Sequence, residues 1–177
     1  MKLLILDRDG VINFDSAHYI KSPEEWRPIP GSLEAIARFT QAGWRIVVAT
    51  NQSGVGRGLF DMTTLNAIHA RMHRAAGRLG GRIEAVFYCP DTAESDSPCR
   101  KPNPGMYHAI SERYGTPLAR VPAVGDSQRD LEAASASGAQ PVLVLTGNGV
   151  KTRDKGELPP ATAIYSDLAS VANALLQ

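Results

Sequence analysis

Asp7 and Asp9 stand one residue apart, directly after the apolar run Leu3–Leu6 and just before Gly10. Unpaired carboxylates do not belong inside a buried strand. The pair therefore sits at the strand's carboxyl end, where a period of two aims both the same way. Three other stretches end alike. Trp44–Thr50 runs into Asn51 and Ser53, a proline-rich loop leads to Arg100 and Lys101, and Val121–Val124 runs into Gly125-Asp126, with Asp130 four residues on. Acids, a hydroxyl and a lysine at strand ends are the parts of a phosphoryl-transfer site. Asp7, held rigid by its strand, is the candidate nucleophile that forms an aspartyl-phosphate. A dianionic phosphate repels a carboxylate, so a cation must lie between them. Mg²⁺ accepts one or two carboxylates plus waters and phosphate oxygens, and Asp7 and Asp126 suit it, with Asp9 adding its backbone carbonyl. Asp9 is the candidate acid and base, protonating the leaving alkoxide and later activating water. Thr50 and Lys101 are placed to hold the remaining phosphate oxygens. Gly10 lets the chain turn sharply beside the site.

These residues need a scaffold that brings strand ends together. Apolar runs alternate with amphipathic ones along the chain. Strands are expected at Leu3–Leu6, Trp44–Thr50, Ala85–Tyr88, Val121–Val124, Val142–Leu145 and Ala163–Tyr165. Helices are expected at Gly31–Gln41, from an N-cap at Asp61 to about Leu79, at Gly105–Tyr114, at Asp130–Ser137 and at Asp167–Leu176. The alternation predicts an α/β fold, a Rossmann-like, mostly parallel sheet with helices on both faces. Ligands in such sheets lie beyond the strands' carboxyl ends, where the strand order reverses. Residues 11–30 and 89–104 are the two long loops. No repeat or second domain is visible, so residues 1–177 are read as one domain.

The chain has 177 residues, 43% hydrophobic and 21% charged, with 19 Lys+Arg against 18 Asp+Glu. This near balance gives no bulk attraction to nucleic acid or to an anionic membrane. No run approaches the length of a membrane span, and the first residues do not form a signal peptide. The expected location is the cytoplasm, with Cys89 and Cys99 reduced and the sequon at Asn51 unused. No large apolar face is evident, and a monomer is expected.

"DRDG", "TNQSG", "KPNPGM" and "GDSQRD" resemble, in order, the four motifs of the haloacid dehalogenase (HAD) phosphatases. "LDRDGVIN", "VVATNQSGVGRG", "FYCP" and "CRKPNPGMYHAI" are similar to the D-glycero-D-manno-heptose 1,7-bisphosphate 7-phosphatases, relatives of the histidinol-phosphatase type. The resemblance implies a minimal cap and a Mg²⁺-dependent phosphosugar hydrolase whose product feeds lipopolysaccharide or another glycoconjugate. It implies Asp7 as nucleophile, Asp9 as acid and base, Thr50 and Lys101 on phosphate, and Asp7, Asp9 and Asp126 at the metal. Arg100 would reach the second phosphate, and Asn51 and Ser53 would line the site. Arg57, in the turn "GVGRG", is read as facing the substrate. Tyr19 and Lys21, in a flap loop packed by Trp26, are read as sugar contacts.

Two departures stand out. Members of the family carry a structural zinc on a C-x-H … C-x-C pattern before "CRKP". Here the positions read Cys89-Pro90-Asp91 and Ser97-Pro98-Cys99, a poor zinc set, and no zinc is expected. Ser127 stands where relatives have lysine after the aspartate. His69 and His73 have a helical ligand spacing but lack the H-E-x-x-H pattern, and both are read as exposed. Met62 and Met72 are read as core. Two rival functions remain. Histidinol-phosphate phosphatase needs no receptor for a second phosphate. A phospho-accepting receiver domain places its acids differently, with the phosphorylated aspartate after the third strand.

Overall fold

In β1 (Leu3–Leu6) alternate side chains enter opposite cores. Leu4 and Leu6 join the larger apolar cluster and Leu3 and Ile5 the smaller one. Both faces are buried, which is why the strand reads as unbroken apolar sequence. The computed structural model describes residues 1–177. The other strands are β2 (Arg45–Asn51), β3 (Ile83–Cys89), β4 (Pro122–Gly125), β5 (Gln140–Val144) and β6 (Ala163–Tyr165). They form one six-stranded sheet in the order β3-β2-β1-β4-β5-β6. Every pairing is parallel, so the fold is the expected Rossmann-like one.

The helices are α1 (Ser32–Gln41), α2 (Ser53–Gly56), α3 (Met62–Arg78), α4 (Gly105–Tyr114), α5 (Gln128–Ala136), α6 (Gly149–Lys155) and α7 (Leu168–Leu175). Ile36 and Phe39 of α1, Ile68 and Met72 of α3 and Val171 of α7 cover one face of the sheet. Met106 and Ile110 of α4 with Ala133 and Ala134 of α5 cover the other. Asp61 caps α3 as expected, its carboxylate accepting from the Thr64 N–H at 2.8 Å.

Several boundaries differ from the sequence reading. β3 begins two residues earlier, and α5 begins at Gln128 because Ser127 and Asp130 form a capping box there. The turn read at Gly54–Gly58 contains the short helix α2, and α6 is an element that the sequence reading lacks. Within the loop at 11–30, Pro23–Glu25 form one 3-10 turn. Trp26 is buried in the larger core cluster and anchors that loop from beneath. Met72 is buried as expected, while Met62 is half-buried.

The strand order reverses between β1 and β4. Side chains following these two strands face one crevice, the place where this topology binds ligands. The two strand ends are tied together there by the Asp7 N–H, which donates to the Val124 carbonyl at 2.8 Å.

Candidate active site

The crevice is a cavity of about 230 Å³, lined by Asp7, Asp9, Asn51, Ser53, Lys101 and Asp126, and farther out by Tyr19, Arg57, Arg100 and Arg129. Asp7, Asp126 and Asp130 bring carboxylate oxygens within 4.8 Å of one another. Lys101, itself only 1% exposed, lies between them. Its ammonium donates to Asp7 Oδ1 at 3.0 Å and to the Ala49 carbonyl at 2.8 Å, and stands 2.7 Å from Asp130 Oδ1. Burial works against its charge, but the Asp130 and Asp7 carboxylates prevail and hold Lys101 protonated well above the ordinary lysine range.

Asp130 gives its other oxygen to the start of α5, accepting from the Asp126 and Ser127 N–H groups and from the Ser127 hydroxyl. Lys101 keeps it ionised below the usual carboxylate range in spite of burial. At the other two acids burial outweighs the compensating bonds from Lys101 and Asn148. Burial, with Asp130 next in weight, pushes Asp7 up to about 7 and Asp126 up to about 8. Two carboxylates destabilised in this way call for a cation.

The oxygens left over define what could hold it. Asp7 Oδ1 is taken by Lys101, leaving Oδ2. Asp126 Oδ2 accepts from the Asn148 N–H at 2.7 Å, leaving Oδ1. The Asp9 carbonyl accepts no hydrogen bond from the chain. Three hard oxygens with no nitrogen or sulfur fit Mg²⁺. Gly10 and Gly147 close the floor, since a Cβ on either would collide with the Asp126 carboxylate. Thr152 further fixes Asp126 by donating to its carbonyl at 2.8 Å.

Asp9 is held apart from this cluster. Arg8 grips its carboxylate in a fork, Nε to Oδ1 at 3.0 Å and Nη2 to Oδ2 at 3.1 Å. Asn13 donates to Oδ1 at 2.9 Å and Gln52 to Oδ2 at 3.0 Å. The expectation that the two acids of the first strand would point the same way applies to their access to the cavity, not to their partners. Gln52 also donates to Thr50 Oγ1 at 2.9 Å, so the Thr50 hydroxyl proton stays free for an incoming oxygen.

Asn51 lines the cavity, but both its polar atoms clamp the Lys101 backbone: Nδ2 donates to the carbonyl and Oδ1 accepts from the N–H, each at 3.0 Å. Ser53 stands at the start of α2 on the cavity wall. Arg57 reaches the rim and is paired with Glu94 at 3.4 Å. Arg100 donates to the Asp91 carbonyl at 3.0 Å, and partial burial with Arg129 and Arg57 nearby lowers its pKa. Tyr19 lines the cavity as expected. Lys21 does not: it turns away to the His18 carbonyl and Glu25.

Four features escape the sequence reading. Arg129 adds a third guanidinium to the rim, and its one signal is its place three residues after Asp126. Gln52 lies inside "TNQSG", and that motif is the signal that could have found it. Cys89 and Cys99 are joined in a disulfide with Cα atoms 5.8 Å apart, correcting the expectation of two reduced thiols. The prolines fold the loop back on itself and place Asp91 and Ser97 beside the sulfurs. Finally, His69 is buried, not exposed, with Nε2 at 3.1 Å from Arg8 Nη1, whereas His73 is exposed as expected.

Burial, followed by the charge of Arg8, lowers His69 to about 3. An unfolded histidine near 6.5 binds a proton that the folded one refuses, so His69 makes stability fall as pH drops below about 6.5. In His69→Gln the loss of unfolding free energy between pH 7 and 5, measured by urea titration, should be about 1–2 kcal/mol smaller than in the parent.

Known proteins resemble the chain over its whole length. A family model described as polynucleotide kinase 3 phosphatase matches residues 2–130, and one described as HAD-hydrolase-like matches residues 98–171. The D-glycero-beta-D-manno-heptose-1,7-bisphosphate 7-phosphatase of Bordetella bronchiseptica is 59% identical, over 100% of this chain and 99% of its own. The protein of that name from Pseudomonas aeruginosa is 55% identical, over 99% and 98%. A crystal structure of the B. bronchiseptica D,D-heptose 1,7-bisphosphate phosphatase, complexed with magnesium and phosphate, matches with a TM-score of 0.99, covering 100% of this chain and 99% of that one.

Proposed function

The chain belongs to the D-glycero-beta-D-manno-heptose-1,7-bisphosphate 7-phosphatase family of HAD hydrolases, and from that premise we propose that it removes the 7-phosphate of the β anomer by way of an aspartyl-phosphate. The observation that carries the bisphosphate reading is the rim of the cavity. Arg57, Arg100 and Arg129 line the same cavity, and the charges of Arg129 and Arg57 are felt at Arg100. Of the three, only Arg57 is paired with a carboxylate, that of the exposed Glu94. Like charges brought together with so little compensation form a receptor for a second phosphate. An imidazole-bearing substrate such as histidinol phosphate has no use for it.

Each step draws on a particular contact. The Asp7 carboxylate, held at Oδ1 by Lys101 until phosphate arrives, attacks phosphorus with one oxygen and leaves the other for the metal. The Thr50 hydroxyl and the Lys101 ammonium take non-bridging oxygens, Lys101 turning part of its bonding from Asp7 to the phosphate. The Arg8 fork orients Asp9, which takes up a proton from water as the substrate binds and gives it to the leaving oxygen when the P–O bond breaks. Asp9 then removes a proton from the water that cleaves the acyl phosphate. Asp7, Asp126 and the Asp9 carbonyl would hold Mg²⁺, which would supply neutralisation of the phosphate and carboxylate charges.

The same reading makes the chain a single catalytic domain acting as a monomer in the cytoplasm. No helix is long and apolar enough to cross a membrane. A doubly phosphorylated sugar does not diffuse through one. The large exposed apolar side chains, among them Phe14, Leu59, Tyr88 and Ile164, belong to separate segments.

Arg100→Ala tests the rim. A lost charge-assisted bond contributes about 1.5–3 kcal/mol, so KM for the bisphosphate should rise about 10- to 100-fold. KM for a heptose carrying the 7-phosphate alone should change little. Equal effects on both substrates would remove the second-phosphate receptor from the account.

A further inference from the structure

Arg8 and His69 are buried ionisable side chains, 0% and 7% exposed, and neither touches the cavity that holds the reacting groups. They come from β1's end and from the middle of α3, 61 residues apart. We propose that His69 is a positioning residue: it fixes the Arg8 guanidinium, and through it the plane of the Asp9 carboxylate that delivers the proton to the leaving oxygen. The inference rests on the role given to Asp9 above.

The hydrogen-bond arithmetic supports it. A guanidinium only donates, so His69 Nε2 must accept, and the ring is the neutral tautomer with its proton on Nδ1. Burial, followed by the charge of Arg8, keeps the ring neutral at pH 7. Arg8 therefore has Nε and Nη2 on Asp9 and Nη1 on His69, with its rotation about the last side-chain bond removed. A carboxylate at position 69 would compete with Asp9 for the same cation. A neutral acceptor anchors Arg8 without weakening the fork. The anchor is itself rigid, because Leu65, Ile68 and Met72 on the same side of α3 are fully buried. Asn13 and Gln52 complete the frame from other elements, and Gln52 joins it to Thr50.

Misplacing a proton donor affects only the leaving groups that need the proton. A sugar alkoxide needs it, and p-nitrophenolate leaves without it. The experiment compares kcat/KM, which reports events up to the first P–O cleavage, for heptose 1,7-bisphosphate and p-nitrophenyl phosphate with Mg²⁺. His69→Leu should lose about 10- to 100-fold on the sugar and less than about threefold on the aryl ester. His69→Gln, whose amide oxygen reaches the Nε2 position, should recover most of the loss. Arg8→Lys keeps the charge without the fork and should show the same selective loss, which leaves the idea testable if the leucine variant does not fold. Equal loss on both substrates, or none on the sugar, overturns the positioning role. Asp9→Asn is the control. If that variant shows no leaving-group dependence, the reading of Asp9 has failed, and not the Arg8–His69 relay alone. Should the parent enzyme prefer another alkyl phosphate, the substrate reading fails at that point, and the comparison is made with that ester.

Discussion

Asp7→Asn yields a folded protein that no longer releases phosphate, with kcat down about four orders of magnitude or more. An amide is not a nucleophile toward phosphorus, and no other carboxylate can replace it. Asp126 has one oxygen on Asn148, Asp130 is paired with Lys101 and the start of α5, and Asp9 is gripped by Arg8. The fold survives for an equally local reason. The amide oxygen of the substituted side chain still accepts from Lys101, while removal of a charge relieves the cost of its burial, and after it the repulsion from Asp130, which together push Asp7 up to about 7. The thermal midpoint of the metal-free variant should match or exceed that of the parent. Turnover above the background rate in the folded variant would remove Asp7 from its assigned role.

Lys101→Met should do the opposite to stability. Methionine has similar length but leaves Asp130, 2% exposed, without its cation and the Ala49 carbonyl without a donor. Breaking a buried pair in this way costs about 3–5 kcal/mol, which for a chain of this length lowers the midpoint by about 10 °C. Activity should fall at least about 10³-fold, since a charge aimed at the transferring group is gone. Pairing the change with Asp130→Asn separates the two effects. The double variant should regain part of the stability, because the orphaned charge is removed, and none of the activity. Calorimetry and phosphate release on the four proteins read this directly. A Lys101→Met protein as stable as its parent would mean that Asp130 finds another partner.

The sheet is legible in the sequence because buried parallel strands announce themselves as unbroken apolar runs, and because each ends in residues that no core accepts. Asp7, Asp126, Thr50 and Lys101 stand out on that ground, and the structure places Asp7, Asp126 and Lys101 on the wall of one crevice, with Thr50 buried behind it and bonded to the lining residue Gln52. The frame behind them is not legible. Arg8 and His69 meet only because α3 packs over β1, and a histidine on an amphipathic helix carries no mark of being buried. Asn51 points to the cavity but not to the Lys101 backbone, since a side chain's partner 50 residues away depends on how the loop at 89–104 folds. Helix α6 escapes because Gly149–Lys155 is short, largely polar and without an apolar period. Its place is set by Asn148 and Thr152 holding Asp126. The disulfide escapes because two cysteines ten apart in a chain read as cytoplasmic give no signal of pairing.

Phosphate release with Mg²⁺ should be compared for the β and α anomers of D-glycero-D-manno-heptose 1,7-bisphosphate, fructose 1,6-bisphosphate and histidinol phosphate. A kcat/KM for the β anomer about a hundredfold or more above every other substrate, roughly 2.7 kcal/mol in transition-state binding, is the expected result. A preference for histidinol phosphate would contradict it, leaving the aspartate chemistry in place and depriving the three arginines at the rim of their phosphate.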